Sequence, residues 1–350
     1  MNTATAVLGS ARPAGLAQRI FKVAVAVNLA LTAFAVLAYG IGFGSRFAGE
    51  FTFTAKMLGQ VIFGILFFNV LWAFFWYVVK NLLLKHWAKF SLEERRAAFS
   101  SRMSRPYDLP GLLQRHSERR IRIIDMIGRR GRFIVLAGSF VFYLYAMIDR
   151  THPANFATAF LSGTLVDGVL TQWLFIGLYY SDSVIAAAVF GPQSRVMDGG
   201  LARANCLAIL TLWTLFKFVL IPLGGAMAEL YSPGQFAAVF MLIWGSYIAT
   251  DTFAEVGGSL YGTMKIRVIG VGDVNRKSIA GTVTGFVAGL TLCLAVVSVA
   301  GLPASFIGLA IVISLSNSLL ELYSPRGTDD FTMAVGNALI CWAFGAWVLG

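Results

Sequence analysis

The sequence is poor in charge. Only 13% of its 350 residues are Asp, Glu, Lys or Arg, about half the usual share of a soluble domain. Cysteine is scarcer still. Cys206, Cys293 and Cys341 sit inside apolar runs with no CxxC pair and no neighbouring histidine, which excludes a disulfide framework or a zinc site and leaves small packing residues. No short apolar core followed by a small-residue cleavage site opens the chain, so the first apolar run is expected to stay as a helix.

What is present is apolar surface: 57% of residues are hydrophobic and the mean hydropathy is +0.73. The apolar runs are long enough to span a bilayer, which takes about 20 residues of helix. Nine spans are expected, at about 20–42, 57–84, 133–149, 157–180, 204–224, 235–256, 280–300, 304–322 and 331–349. Asp167 and Gln172 interrupt the fourth, and polar groups at that depth must face other helices or water. The fold class is therefore all-α, a polytopic membrane helical bundle of about nine transmembrane helices.

The net charge of +11 fixes an expected orientation. With the N-terminus inside, only Arg46, Lys56 and Arg150 fall in outer segments, Lys80 and Lys217 fall within spans, and every other basic residue lies inside. That bias obeys the positive-inside rule and makes the N-terminus cytoplasmic. A bacterial inner membrane fits, as does an endoplasmic reticulum membrane in a eukaryote.

Residues 85–132 hold thirteen basic residues against Glu93, Glu94, Asp108, Glu118 and Asp125. This segment divides the chain into an N-terminal transmembrane hairpin (1–84), a basic cytoplasmic segment (85–132) and a membrane core (133–350). From Leu112 to Ile127 apolar residues recur near helical spacing with Arg115, Arg119 and Arg122 among them. Such a helix can lie on anionic lipid headgroups; an ordinary positive-inside loop is the plainer reading. No recognition motif accompanies the charge, so nucleic acid is not an expected partner.

The chemistry-bearing residues crowd into the last third. Asp251 and Glu255, at i and i+4, share one helix face. A glycine-rich basic loop follows, with Lys265, Arg267 and Lys277, then Ser278, Gly281 and Thr282 at a helix start, where anions are favoured. Glu321 ends the eighth span, ahead of Arg326, Asp329 and Asp330. All three stretches emerge on the expected cytoplasmic side. Carboxylates beside a glycine-rich basic loop suit a magnesium-bound nucleotide, the metal taking oxygens and the cations taking phosphates. Residue by residue plainer accounts also hold. Lys265 and Lys277 can be topology signals, and Asp329 and Asp330 can cap the ninth span. Gly270 and Gly272 lack the lysine spacing of a P-loop.

Three blocks carry a resemblance. Asp251-Thr-Phe-Ala-Glu-Val-Gly-Gly-Ser-Leu-Tyr-Gly, Lys277-Ser-Ile-Ala-Gly-Thr and Glu321-Leu-Tyr-Ser-Pro-Arg-Gly-Thr-Asp-Asp resemble the CTP-dependent lipid kinases: dolichol kinase, phytol kinase and the CTP-using diacylglycerol kinase. These share a membrane fold with phosphatidate cytidylyltransferase. The likeness covers about 245–350. Asp330 stands where the family typically has Asn, and the arginine-containing stretch between the first two blocks is long. The His-Gly-Gly and Asp-Arg elements of the cytidylyltransferase are absent.

The resemblance implies transfer of the γ-phosphoryl group of CTP to an isoprenoid alcohol or diacylglycerol, with Mg2+. It implies catalytic roles for Asp251, Glu255 and Asp329, and metal ligation by Asp251, Glu255, Glu321, Asp329 and Asp330. Phosphate binding would fall to Lys265, Arg267, Lys277, Ser278, Gly281, Thr282 and Arg326. A homodimer is compatible with this reading. The alternatives are a transporter or flippase using Lys217, Asp167 and Glu229, a cytidylyltransferase-type enzyme, or a homologue without catalysis.

Overall fold

A computed structural model describes residues 12–40, 55–99, 109–131, 153–266, 277–324 and 328–349. Among them the chain is helical throughout. A helix satisfies its backbone polar groups within itself, as membrane depth requires of a single span. The helices are α1 (Arg12–Gly40), α2 (Ala55–Leu66), α3 (Trp72–His86), α4 (Leu92–Phe99) and α5 (Leu109–Arg115). Then come α6 (118–131), α7 (Pro153–Leu178), α8 (Val184–Phe190) and α9 (Ala202–Ala228). The last four are α10 (Pro233–Tyr261), α11 (Ile279–Val299), α12 (Ser305–Tyr323) and α13 (Asp329–Phe344). A π-turn at Phe67–Leu71 joins α2 to α3.

Seven stretches among the described residues are long and apolar enough to cross a membrane: Gly15–Leu37, Ile62–His86, Ala202–Leu220, Gly234–Tyr261, Ile279–Val299, Ser305–Tyr323 and Asp329–Leu349. They fall on seven of the nine expected spans, and a multi-pass membrane protein is the architecture they make. The expected span at 133–149 lies outside the described residues. The expected span at 157–180 is α7, of which Val166–Leu178 is a shorter apolar helix.

The chain divides into two compact units, one formed by 1–33, 62–132 and 169–211, the other by 34–61, 133–168 and 212–350. The first unit is held by two apolar clusters, one built on Ala17, Phe175, Phe190 and Leu207, the other on Leu84, Phe90, Leu112, Ile121 and Ile124. The second cluster contains the apolar side of the basic segment, so Leu112, Ile121 and Ile124 pack against protein. The stretch 112–127 is two helices, broken at 116–117, because His116 is drawn aside to the Glu94 carboxylate, at 3.1 Å from Oε1. Gln172 turns inward as its depth requires, donating to Thr211 Oγ1 at 2.7 Å.

The first unit also encloses charge. Lys80, fully buried, meets Asp125 Oδ1 at 2.8 Å and donates to the carbonyls of Gly191 and Ser194. The other Asp125 oxygen accepts the Val196 N–H at 2.8 Å. Arg203 donates to the carbonyls of Tyr179, Ser181 and Phe99 at 2.8–2.9 Å.

In the second unit α10 to α13 form a bundle around Phe236, Phe240, Trp244, Phe306, Leu309, Ile313, Met333 and Ala338. α10 starts where the sequence says it should: Pro233 occupies the first turn, and Ser232 and Gln235 form a capping box, satisfying N–H groups that a helix start leaves open. α10 and α11 approach closely because α11 offers glycine every fourth residue. A Cβ on Gly281 would lie 2.7 Å from Ala254 O, and one on Gly285 would lie 2.8 Å from Thr250 O. Thr284 Oγ1 crosses the same seam to Phe253 O at 2.9 Å. Cys206, Cys293 and Cys341 are buried and unpaired, the packing role expected of them.

Candidate functional site

Three helices of the second unit each deliver one carboxylate to a single place. Asp251 on α10, Glu321 at the end of α12 and Asp329 at the start of α13 have carboxylate oxygens all within 4.8 Å of one another. α10 continues ten residues past Asp251 to Tyr261, about 15 Å of helix. Asp251 is therefore level with the junction of α12 and α13, while the last turns of α10 stand beyond it.

A cation sits among them. Lys277 Nζ is ion-paired with Glu321 Oε1 and lies 3.8 Å from Asp329 Oδ2. Lys277 is placed by the start of α11: the next residue, Ser278, is the N-cap, its Oγ accepting the Gly281 N–H at 3.2 Å. A short antiparallel bridge fixes the approach, with Ile266 N–H donating to Lys277 O and Ile279 N–H to Met264 O, both at 3.1 Å. Lys265 lies opposite Ser278 in that bridge and is exposed.

The expected site residues separate into groups. Asp251, Glu321, Asp329 and Lys277 come together. Glu255 is half-buried one turn further along α10, and Asp330 is half-buried next to Asp329, both outside the three-carboxylate group. Ser278 and Gly281 have structural employment, Ser278 as the cap and Gly281 as the residue that lets α11 touch Ala254 O. Thr282 Oγ1 donates to Ser278 O at 3.2 Å. Arg267 and Arg326 lie outside the described residues, as do Gly270 and Gly272.

No family model, curated protein or solved structure matches the chain. What the site can do is therefore argued from its atoms. Carboxylate oxygens are hard donors of the kind magnesium or calcium takes. Among the described residues three carboxylates gather with one ammonium, a donor set that can accept a second cation. Lys277 is 29% exposed, so solutes can reach it. Oxygen donors and access together fit a hydrated divalent ion with a phosphate ligand.

One feature was not legible as a site component. Ser246, Asn317 and Asn337 are fully buried within spans beneath the carboxylates and bond to one another; an amide inside an apolar run was the signal. The carrier residues do not form one buried set, since Asp167 is partly exposed. Lys217, fully buried, is 3.8 Å from Asp167 and has its ammonium 3.3 Å from the centre of the Trp213 ring. Glu229, expected with them as a buried group, is exposed and lies just past the end of α9. A carboxylate at a helix terminus is at the aqueous end, not in the apolar middle.

Proposed function

We propose that the chain is a membrane lipid kinase, transferring the γ-phosphoryl group of CTP to the hydroxyl of a lipid alcohol, an isoprenoid alcohol or diacylglycerol, at the cytoplasmic face. The observation that carries the reading is the convergence of Asp251, Glu321 and Asp329 on Lys277. The three blocks that resemble CTP-dependent lipid kinases are the blocks that supply these four residues. CTP and the acceptor class rest on that resemblance.

In this mechanism Asp251, Glu321 and Asp329 would hold Mg2+, and the ion would supply charge neutralisation for the transferring phosphoryl group. Lys277, the ammonium already at the site, takes phosphate charge. Asp251 or Asp329 accepts the proton of the lipid hydroxyl as its oxygen bonds to the γ-phosphorus. The bond from that phosphorus to the β,γ-bridging oxygen breaks, and CDP leaves. The layout suits the substrates, since a lipid can stay in the bilayer while its hydroxyl meets an aqueous triphosphate.

Anionic headgroups are proposed partners at the end of the span Ile62–His86. There Lys85, Trp87 and Lys89 are exposed, and Arg120 donates to Trp87 O at 3.4 Å, an aromatic and basic belt of the sort found at bilayer surfaces. A carrier is the second reading, favoured by the buried Lys217 beside a partly exposed Asp167, since ionisable groups within spans mark transport routes.

The deciding experiment is thermal stability of detergent-purified protein with magnesium and each of CTP, ATP, GTP and UTP. Selective stabilisation by CTP, lost in Lys277→Ala and Asp251→Ala, is the expected result, because a ligand that binds the folded state raises its stability. No shift with any nucleotide at millimolar concentration would overturn the kinase reading and turn attention to transport.

A further inference from the structure

The three carboxylate-bearing helices are tied together a second time, deeper in the bundle. Asn317 Nδ2 and Asn337 Nδ2 both donate to Ser246 Oγ, at 3.0 and 3.1 Å, and Asn337 Nδ2 also reaches Ile243 O at 3.2 Å. Ser246 Oγ itself donates to Leu242 O. All three side chains are fully buried. Each belongs to a different helix, and each of those helices carries one member of the carboxylate group: Ser246 precedes Asp251 on α10, Asn317 precedes Glu321 on α12, and Asn337 follows Asp329 on α13. Along the helix axes the separations are about 7.5, 6 and 12 Å.

As a source of stability this knot is inefficient. Asn317 Oδ1 and Asn337 Oδ1 are buried without a donor, and a buried acceptor left unsatisfied is destabilising. Leucine at either position would cover similar volume without that cost. What hydrogen bonds add and apolar contacts do not is register. One hydroxyl accepts from both amides only at one rotation and one height of α12 and α13 against α10. Asn317 and Glu321, four residues apart, lie on one face of α12, so turning the amide away turns the carboxylate with it.

We infer that Ser246, Asn317 and Asn337 are positioning residues that set the spacing of Asp251, Glu321 and Asp329. The inference rests on the proposed reading of that group as a cation and phosphate site. Small errors of placement matter there, because ligand oxygens must meet one ion together; groups that only orient metal ligands, without touching the ion, commonly contribute 10–100-fold to affinity.

The test uses Asn317→Leu, Asn337→Leu and Ser246→Ala in the full chain, with two readouts. The first is Mn2+ affinity with CTP present, by electron paramagnetic resonance, set beside the melting temperature. The second is the distance distribution between spin labels at Tyr261→Cys and Tyr323→Cys, two exposed positions at the ends of α10 and α12, the three native cysteines being buried. Expected are at least about 10-fold weaker Mn2+ binding and a broadened label distance, with the melting temperature of the leucine variants held or raised. An unchanged label distance in all three variants overturns the inference, as does Mn2+ affinity that falls only in step with melting temperature. If the parent protein binds no Mn2+, the cation site itself fails. The label distances then decide the knot alone, broadening upholding it and invariance overturning it.

Discussion

Lys80 and Lys277 are both lysines held against carboxylates, one in each unit, and their surroundings differ in completeness. Lys80 meets one carboxylate and two carbonyls, and the other oxygen of that carboxylate takes a backbone N–H. Its ammonium meets oxygens of three residues, and the side chain has no exposed surface. Lys277 faces three carboxylates, through Glu321, Asp329 and their neighbour Asp251, and is partly exposed. A closed pair has nothing left to offer a ligand. An open group of three carboxylates does, and partly accessible charge clusters are where chemistry is done. An ionisable residue near a membrane span is thus not a site by itself; the open group around it is what makes one.

The largest effect expected in breaking this contrast is at the closed pair. Lys80→Met strands Asp125 without its cation, and loss of one partner of a buried pair costs about 3–5 kcal/mol. Chemical unfolding followed by tryptophan fluorescence should show that loss, while folded Lys80→Met protein keeps its nucleotide response. The open group should behave in the opposite way. Asp251→Asn and Asp329→Asn are expected to lower turnover about 100-fold or more, the scale for removing one electrostatic element of a preorganised site. Their melting temperatures should hold or rise, since like-charge repulsion is relieved. A stability loss in Asp251→Asn as large as that of Lys80→Met would erase the distinction between the two lysines.

Spans were legible because membrane insertion writes itself into every residue of a run: seven long apolar helices fall where runs such as 280–300 and 304–322 place them. The site was legible in part. Topology put Asp251, Glu321 and Asp329 at one face, and the i, i+4 spacing put Glu255 beside Asp251. Sequence spacing carries no information about rotation between helices, however, and that rotation selects Glu321 rather than Glu255 as the third carboxylate. The same limit hid the Ser246, Asn317 and Asn337 contact. The break at 116–117 was hidden for another reason, a tertiary bond from His116 to Glu94 overriding a helical pattern.

Gly281 allows a smaller, sharper test. The resemblance makes it a phosphate residue, whereas its position against Ala254 O makes it a packing residue. Gly285, one turn on, has the same closeness to Thr250 O and no motif role. Gly281→Ala and Gly285→Ala should each lower stability by about 1–3 kcal/mol through overpacking. Gly308→Ala, where an added Cβ meets nothing within 4 Å, should be neutral or gain a few tenths of a kcal/mol from helix propensity. Equal nucleotide affinity in Gly281→Ala and Gly285→Ala, read by titration at a temperature where both are folded, makes Gly281 structural. A loss confined to Gly281→Ala restores it to the phosphate site.

A pH-dependent effect belongs to Glu94, whose carboxylate ties the basic segment together. Ser91 and Glu94 form a capping box at the start of α4, with Ser91 N–H donating to Glu94 Oε2 at 2.8 Å and Glu94 N–H to Ser91 Oγ at 3.2 Å. The same carboxylate meets Arg115 and His116, each at 3.1 Å. Burial pushes its carboxyl up, but the Ser91 N–H, His116 and Arg115 together outweigh it and bring the pKa from an ordinary 4.5 to about 2. A carboxyl depressed in the folded state stabilises fully above its unfolded pKa and loses that contribution as pH falls through the folded one. Melting temperatures of the parent and Glu94→Gln should therefore differ at about pH 5, above the unfolded pKa. The gap should narrow between about pH 4.5 and 2 and close below that. A gap that stays constant down to pH 2 would mean that the capping geometry, which glutamine preserves only in part, carries the contact without the charge.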